Sequence, residues 1–342
     1  MTGAVITGAG HALPATYTQD EVWDGFFAEH YASLRSARRV FGAAGVRTRH
    51  AVANPVHEDL SQWGTGARME RYLSEALPLG KQAVAAALDD AGLAPDEVGL
   101  FSVATCTGYA TPGLDIRLAT DLGMSVGTQR LLVGHMGCYA ALPGLAAVAD
   151  FVTAHARPAV LLCCELTSLH VQPARNDLSQ VVAHALFSDA ASAVVLQPDA
   201  RRGRRVAGMV ARTDAATSDH MTWDVTDLGF KMGLSPRVPD VLARHVGDVV
   251  DELLTGAGLR VDDVAGWAVH PGGPRILDVA RDELGLTEAQ IAPSRRVLAE
   301  HGNCSSATVL LVLEELADVD GPVVAMAFGP GLTLYATLLL PA

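Results

Sequence analysis

Residues 91–108, AGLAPDEVGLFSVATCTG, recur in altered form at residues 257–273, AGLRVDDVAGWAVHPGG. Each copy ends a helical pattern in an AGL stop, crosses a DEV or DDV link and enters an apolar run that predicts a buried strand. Gly92 and Gly258 stand 166 positions apart, as do Asp96 and Asp262. The correspondence continues downstream. Residues 129–151, QRLLVGHMGCYAALPGLAAVADF, parallel residues 295–316, RRVLAEHGNCSSATVLLVLEEL, and Cys138 and Cys304 keep the same spacing. Both then run into an apolar strand, AVLLCC from Ala159 and PVVAMAF from Pro322. A repeat this long is no solenoid, whose period is about 20–50 residues. The chain reads as two similar α/β halves.

The rest of the sequence fits that reading. KQAVAAALDDAGL and VGDVVDELLTGAGL have helical spacing and close on glycine, while ALFSDAASAVVL and GWAVHP predict buried strands. Strands alternating with helices predict mixed sheets covered by helices. The polar stretch RRGRR, residues 201–205, marks the division into an N-terminal half, 1–200, and a C-terminal half, 201–342. The composition, 49% hydrophobic and 18% charged over 342 residues, is that of a globular protein. A net charge of −13 argues against nucleic acid as a partner. No uninterrupted apolar run reaches the ~18–20 residues of a membrane span, and the start lacks the marks of a signal peptide. A cytoplasmic protein without membrane contact is expected. Five cysteines, with no CxxC pair and no HExxH spacing, predict neither a disulfide framework nor a metal site.

The duplication places Cys138 and the Asn303–Cys304 pair at equivalent helix starts. Two such starts facing across a pseudo-twofold axis would share one pocket. A cysteine there feels the positive end of the helix dipole, which favours thiolate. It would equally serve as a small buried hydrophobe. His270 stands where a strand meets a glycine-rich turn, a common ligand position in α/β sheets and also a place for a locally bonded histidine. Asn303 is suited to capping the next helix. FGPG, residues 328–331, is either a tight turn or the wall of a reaction cavity.

Together these residues resemble the thiolase superfamily, and within it the type III polyketide synthases related to chalcone synthase. The resemblance covers nearly the whole chain. It rests on GCYAALPG (137–144), HPGGPRIL (270–277), GNCSSA (302–307) and FGPGLT (328–333). GVRTRH (45–50), CTGYATPG (106–113), CELTSLHVQP (164–173) and ALFSDAASA (185–193) support it. It implies two duplicated halves in a layered αβαβα arrangement. It also implies a homodimer in which the loop around Thr111 reaches the partner's cavity. The alternative is a condensing enzyme of the β-ketoacyl synthase III type, which the opening ITGAGHALP resembles. Such an enzyme would take acyl carrier protein and stop after one round.

By the same resemblance, Cys138 accepts an acyl group from coenzyme A, and malonyl-CoA decarboxylates to an enolate that attacks the thioester. His270 and Asn303 stabilise the enolate oxygen, and His270 helps keep Cys138 ionised. No cofactor is expected beyond the coenzyme A thioesters. Phe187 matches the family's gatekeeper aromatic. Cys106, Thr107, Thr111, His170, Trp223, Phe230, Met232 and Ser305, with Gly329 and Pro330, match its substrate-pocket positions. Arg38, Arg39 and Gly272 match its coenzyme A contacts. Trp223 replaces the glycine of chalcone synthase-like members. That exchange predicts a small cavity, a short starter and a small aromatic or pyrone product.

Overall fold

Strand Ala4–Ala12 is where the two halves meet, and its sequence explains how closely it packs. A Cβ on Gly8 would lie 2.3 Å from the Ala87 carbonyl oxygen, and one on Gly10 would lie 2.5 Å from the Ala87 nitrogen. Only glycine lets this strand touch the backbone of helix Thr65–Ala91. The computed structural model describes residues 3–173 and 175–342.

To the nine-stranded main sheet the N-terminal half gives five strands in the order Ala4–Ala12, Asp189–Pro198, Ala159–Leu166, Leu100–Thr105, Gln129–Gly134. The C-terminal half gives it four in the matching order Arg204–Thr213, Thr333–Pro341, Val323–Gly329, Gly266–Val269. In each, the inner pairings are antiparallel and the outer ones parallel. The two sheets join through only two residue pairs, Val5 with Arg205 and Ile6 with Arg204.

Three apolar cores separate five layers. Helix Thr65–Ala91 covers the outer face of the first sheet, packing Val84, Ala87 and Leu88 against Val103, Leu162 and Val195. Helices Val238–Thr255 and Pro274–Leu284 cover the outer face of the second, with Val246, Val250 and Leu277 against Val324, Met326 and Leu338. Between the sheets lie helices Ala141–His155 and Thr308–Glu315. Their Leu142, Leu145, Val309 and Leu310 pack with Leu161, Val194, Ala325 and Leu339. Each such large aliphatic side chain, fully buried, contributes about 1.5–3 kcal/mol. The arrangement is the expected αβαβα.

Gly137–His155 is the one described segment long and apolar enough to cross a bilayer, and 67% of its apolar window is buried between the sheets. The repeat breaks just before the two helix starts. Residues 129–134 form an edge strand, but their counterparts at 295–300 lie in helix Glu288–His301. Thr287 and Gln290 start that helix with a reciprocal cap, which the strand copy lacks.

Candidate active site

Cys138 lies in the turn Gly137–Tyr139 that leads into helix Ala141–His155. Gly137 has φ +77°, and a Cβ there would lie 2.7 Å from Pro330 Cδ. Glycine therefore lets the 328–331 turn close against the backbone of Cys138. Gly329 sits as close, with its would-be Cβ 3.2 Å from the Cys138 nitrogen. His270 follows strand Gly266–Val269, and its N–H donates to the Met326 carbonyl at 2.8 Å. Asn303 follows helix Glu288–His301. Its Oδ1 accepts the Ser305 N–H at 2.9 Å, capping the turn that opens helix Thr308–Glu315. Its amide N–H groups are left free, and the Asn303 and Ser305 side chains both favour the thiolate of Cys138. Capping and facing the nucleophile are thus two ends of one side chain.

Cys138, His270 and Asn303 line one cavity of about 580 Å³. All three are buried. Among the described residues, neither ring nitrogen of His270 has a partner. Buried polar groups are rarely left so, and a bound carbonyl oxygen would satisfy one of them. Burial holds the His270 imidazole down to about 3. It pushes the Cys138 thiol up to about 12, against the influence of the Ser305 and Asn303 side chains, and the Glu165 charge pushes the same way. Burial therefore favours the thiol and the neutral imidazole. The helix start works against the loss of water around the sulfur, and the two oppose each other at the thiolate expected from sequence.

Glu165 is the residue that the three motifs did not reveal. Its carboxylate accepts from Ser306 Oγ at 2.6 Å, Thr107 Oγ1 at 2.8 Å and the Cys106 N–H at 3.0 Å. Its pKa is raised by burial, against these donors. A carboxylate inside the fully buried strand AVLLCCEL was the available signal. Arg275 was missed too. Among the described residues it is the only charged one lining the large cavity, and it is exposed.

Phe187 lines the large cavity and two smaller ones behind it. One of these, about 10 Å³, is bounded by Cys106, Thr107, Cys138, Trp223, Ser305 and Pro330, among others. The other, about 50 Å³, reaches His170. Met232 borders all three. Trp223 is what fills this region. Its indole N–H donates to the Cys106 carbonyl at 2.7 Å. Its ring stands edge-on to His170 at 5.5 Å and lies 6.2 Å from Phe187.

Phe230 and Arg38 stand elsewhere than expected, while Thr111, expected to reach a partner's cavity, lies outside those of its own chain. Phe230 stacks on His170 at 4.5 Å and lines none of these cavities, because His170 and Trp223 stand in front of it. Thr111 is exposed beside a cis bond to Pro112 and borders no cavity of its own chain. Arg38 pairs with Asp20 at 3.0 Å and lies over the Trp23 ring, outside the large cavity. Gly272 does line that cavity. Arg39 is exposed one helical turn before Ala43, which lines it as well.

The family models for chalcone and stilbene synthases match residues 2–200 (N-terminal domain) and 209–341 (C-terminal domain). A 1,3,6,8-tetrahydroxynaphthalene synthase of Streptomyces peucetius subsp. caesius is 38% identical over 88% of this chain and 82% of its own. The α-pyrone synthesis polyketide synthase-like Pks18 of Mycobacterium tuberculosis is 32% identical over 88% and 81%. Among solved structures, the tetrahydroxynaphthalene synthase of Streptomyces coelicolor A3(2) superposes with a TM-score of 0.93 at 28% identity. That match covers 98% of this chain and 99% of the other.

Proposed function

The chain belongs to the chalcone and stilbene synthase family, the type III polyketide synthases, and we propose that it builds a small product from a short acyl starter on Cys138. The enzyme is a carbon–carbon bond-forming acyltransferase. It condenses a coenzyme A starter with malonyl-CoA to an aromatic or pyrone product.

Loading begins from neutral partners. The Cys138 sulfur attacks the starter carbonyl while its proton passes to His270, which then gives it to the departing coenzyme A sulfur. A malonyl-CoA next loses carbon dioxide. The negative oxygen of the resulting enolate accepts hydrogen bonds from the His270 N–H and the Asn303 amide. Its carbon attacks the Cys138 thioester, and the sulfur leaves. Losing one such donor typically costs ~100–1000-fold in rate. No cofactor takes part. The observation that carries this reading is one cavity bordered by all three groups, with both His270 nitrogens buried and unpaired.

The large cavity suits the pantetheine arm, with Gly272 along it and Arg39 and Arg275 toward the phosphates. The near absence of space behind Phe187 supports a short starter and few extensions. A homodimer is supported by edge strand Gln129–Gly134, which leaves Leu131 and Leu132 exposed at 40% and 41%. Tyr109, in the loop that precedes Thr111, is 61% exposed.

Incubation with radiolabelled malonyl-CoA and acyl-CoAs of graded length tests the assignment. Cys138→Ala should form no condensation product, Cys138→Gln should still release carbon dioxide, and Asn303→Ala should lose both. Efficient extension of a C16 starter would overturn the small-product reading. Condensation by Cys138→Ala would overturn the mechanism.

A further inference from the structure

The motif GVRTRH has no part in the condensation steps, yet its short strand Thr48–His50 grips two segments of the site. Arg49 is 6% exposed and bonds to no carboxylate, with Asp189 acting on it only through its charge. Its guanidinium donates to the carbonyls of His184 at 2.6 Å, Ala185 at 2.7 Å and Phe187 at 3.2 Å, and to Gln19 Oε1. These carbonyls lie at the C-terminal end of helix Leu178–Leu186, where a helix leaves acceptors unsatisfied. Gln19 Nε2 donates to Ala185 as well, at 2.9 Å.

The same strand also holds Ser188, just past Phe187, and the helix end that faces it. The His50 N–H donates to Ser188 Oγ at 2.8 Å, and that hydroxyl donates back to the His50 carbonyl at 3.2 Å. Thr48 Oγ1 donates to the Glu300 carbonyl at 2.6 Å, and the Arg47 N–H donates to Ala299 at 2.7 Å. Both fix the end of helix Glu288–His301, two residues before Asn303. The two gripped segments are also tied to each other. The Asn303 N–H donates to the Leu186 carbonyl at 2.8 Å, and the Ser188 N–H donates to the Asn303 carbonyl at 3.0 Å.

We infer that Arg49 is a positioning residue for condensation, fixing segment 186–188 so that the Phe187 ring and the Asn303 amide keep one set relation to Cys138. The inference rests on the proposed roles of Phe187 as gate and Asn303 as enolate donor. A buried guanidinium without a bonded carboxylate is costly, and here four acceptors aimed at its fork offset that cost. Lysine presents a single point of charge and cannot span three carbonyls.

The test compares full-length wild type, Arg49→Lys and Asn303→Ala, reading starter transfer to Cys138, malonyl-CoA decarboxylation and thermal midpoint separately. In Arg49→Lys, kcat for decarboxylation should fall about 10–100-fold, since an amide misplaced by about 1 Å can cost ~100-fold. KM and the rate of Cys138 acylation should stay near wild type. A lower midpoint with unchanged decarboxylation below it would mean that Arg49 only stabilises the fold, and the inference fails. Inactive Asn303→Ala beside fully active Arg49→Lys overturns the inference alone. Normal decarboxylation by Asn303→Ala overturns the role of Asn303 itself. Should Arg49→Lys not fold, Gln19→Leu decides in its place. It removes one acceptor and one brace and should show the same kcat-only loss, smaller in size; unchanged kcat sinks the idea.

Discussion

Replacing Trp223 by alanine should lengthen the product without slowing the first condensation. The space behind Phe187 is two small cavities of about 10 and 50 Å³, and the one against Cys138 has room for roughly one water. The Trp223 indole, partly buried and bonded to the Cys106 carbonyl, is its main obstruction. Removing a leucine from a packed core has opened ~150 Å³, enough for one benzene ring. An indole is larger than a leucine side chain, so the space gained should hold at least six carbons, about three malonyl-derived units. Truncating a fully buried tryptophan costs ~3–5 kcal/mol, and a partly buried one about half as much. The lost hydrogen bond adds ~1 kcal/mol. The variant should therefore fold, with a midpoint lowered by several degrees.

The assay is mass spectrometry of products from malonyl-CoA and one short acyl-CoA. Wild type should stop early, and Trp223→Ala should add products heavier by whole C2H2O units. Its rate of starter loading should change little, because Cys138, His270 and Asn303 keep their contacts. A folded Trp223→Ala enzyme with the wild-type product spectrum would refute the reasoning. Chain length would then be set by something other than this volume.

Other outcomes rest on the same geometry. Arg275→Ala should raise KM for malonyl-CoA about 3–10-fold, as expected for one exposed ionic contact, and leave KM for malonyl-pantetheine unchanged; equal effects on both would remove Arg275 from the phosphates. Leu132→Asp should halve the mass seen by light scattering, and a wild-type monomer would contradict the edge-strand interface. Acid should destabilise the fold early. His50 and His170 are held down to about 4, and His184 and His270 to about 3, chiefly by burial. Their contribution is fully present above the unfolded value of ~6.5 and is lost as pH falls from there toward 4 and 3, because only the unfolded chain takes up the protons. Urea midpoints should fall steeply between pH 6.5 and 4; a flat profile over that window would mean that these histidines titrate normally.

How much of the site was legible in the sequence depended on which physics set each residue. Cys138, His270 and Asn303 could be found because each sits at a strand end or helix start that its own neighbours dictate. Phe187 was found only through the family resemblance, because ALFSDAASAVVL read as one strand while its first residues end helix Leu178–Leu186. Phe230 was misplaced because two rings, His170 and Trp223, hide it, and no local pattern records which ring stands in front. Arg38 was misjudged because its partners, Asp20 and Trp23, lie well before it in sequence. The burial that opposes a thiolate at Cys138 was hidden for another reason. Sequence gives the helix dipole directly, but desolvation depends on how the second half closes over the sulfur.

The point where the duplicated halves part company explains why the site needs both. At positions 129–134 the first copy keeps a strand, so its sheet ends in an edge with Leu131 and Leu132 outward. In the second copy the corresponding residues belong to helix Glu288–His301, which lies under strand Thr48–His50 and delivers Asn303. Had both copies kept the strand, the second half would offer no helix end for Thr48 and Arg47 to hold. Asn303 would then be tied to the gate segment by its two backbone bonds alone. Had both become helix, the first sheet would lose the edge that a second subunit can extend. The divergence thus leaves the first copy an open sheet edge and gives the second a helix end that holds an amide beside a nucleophile from the other half.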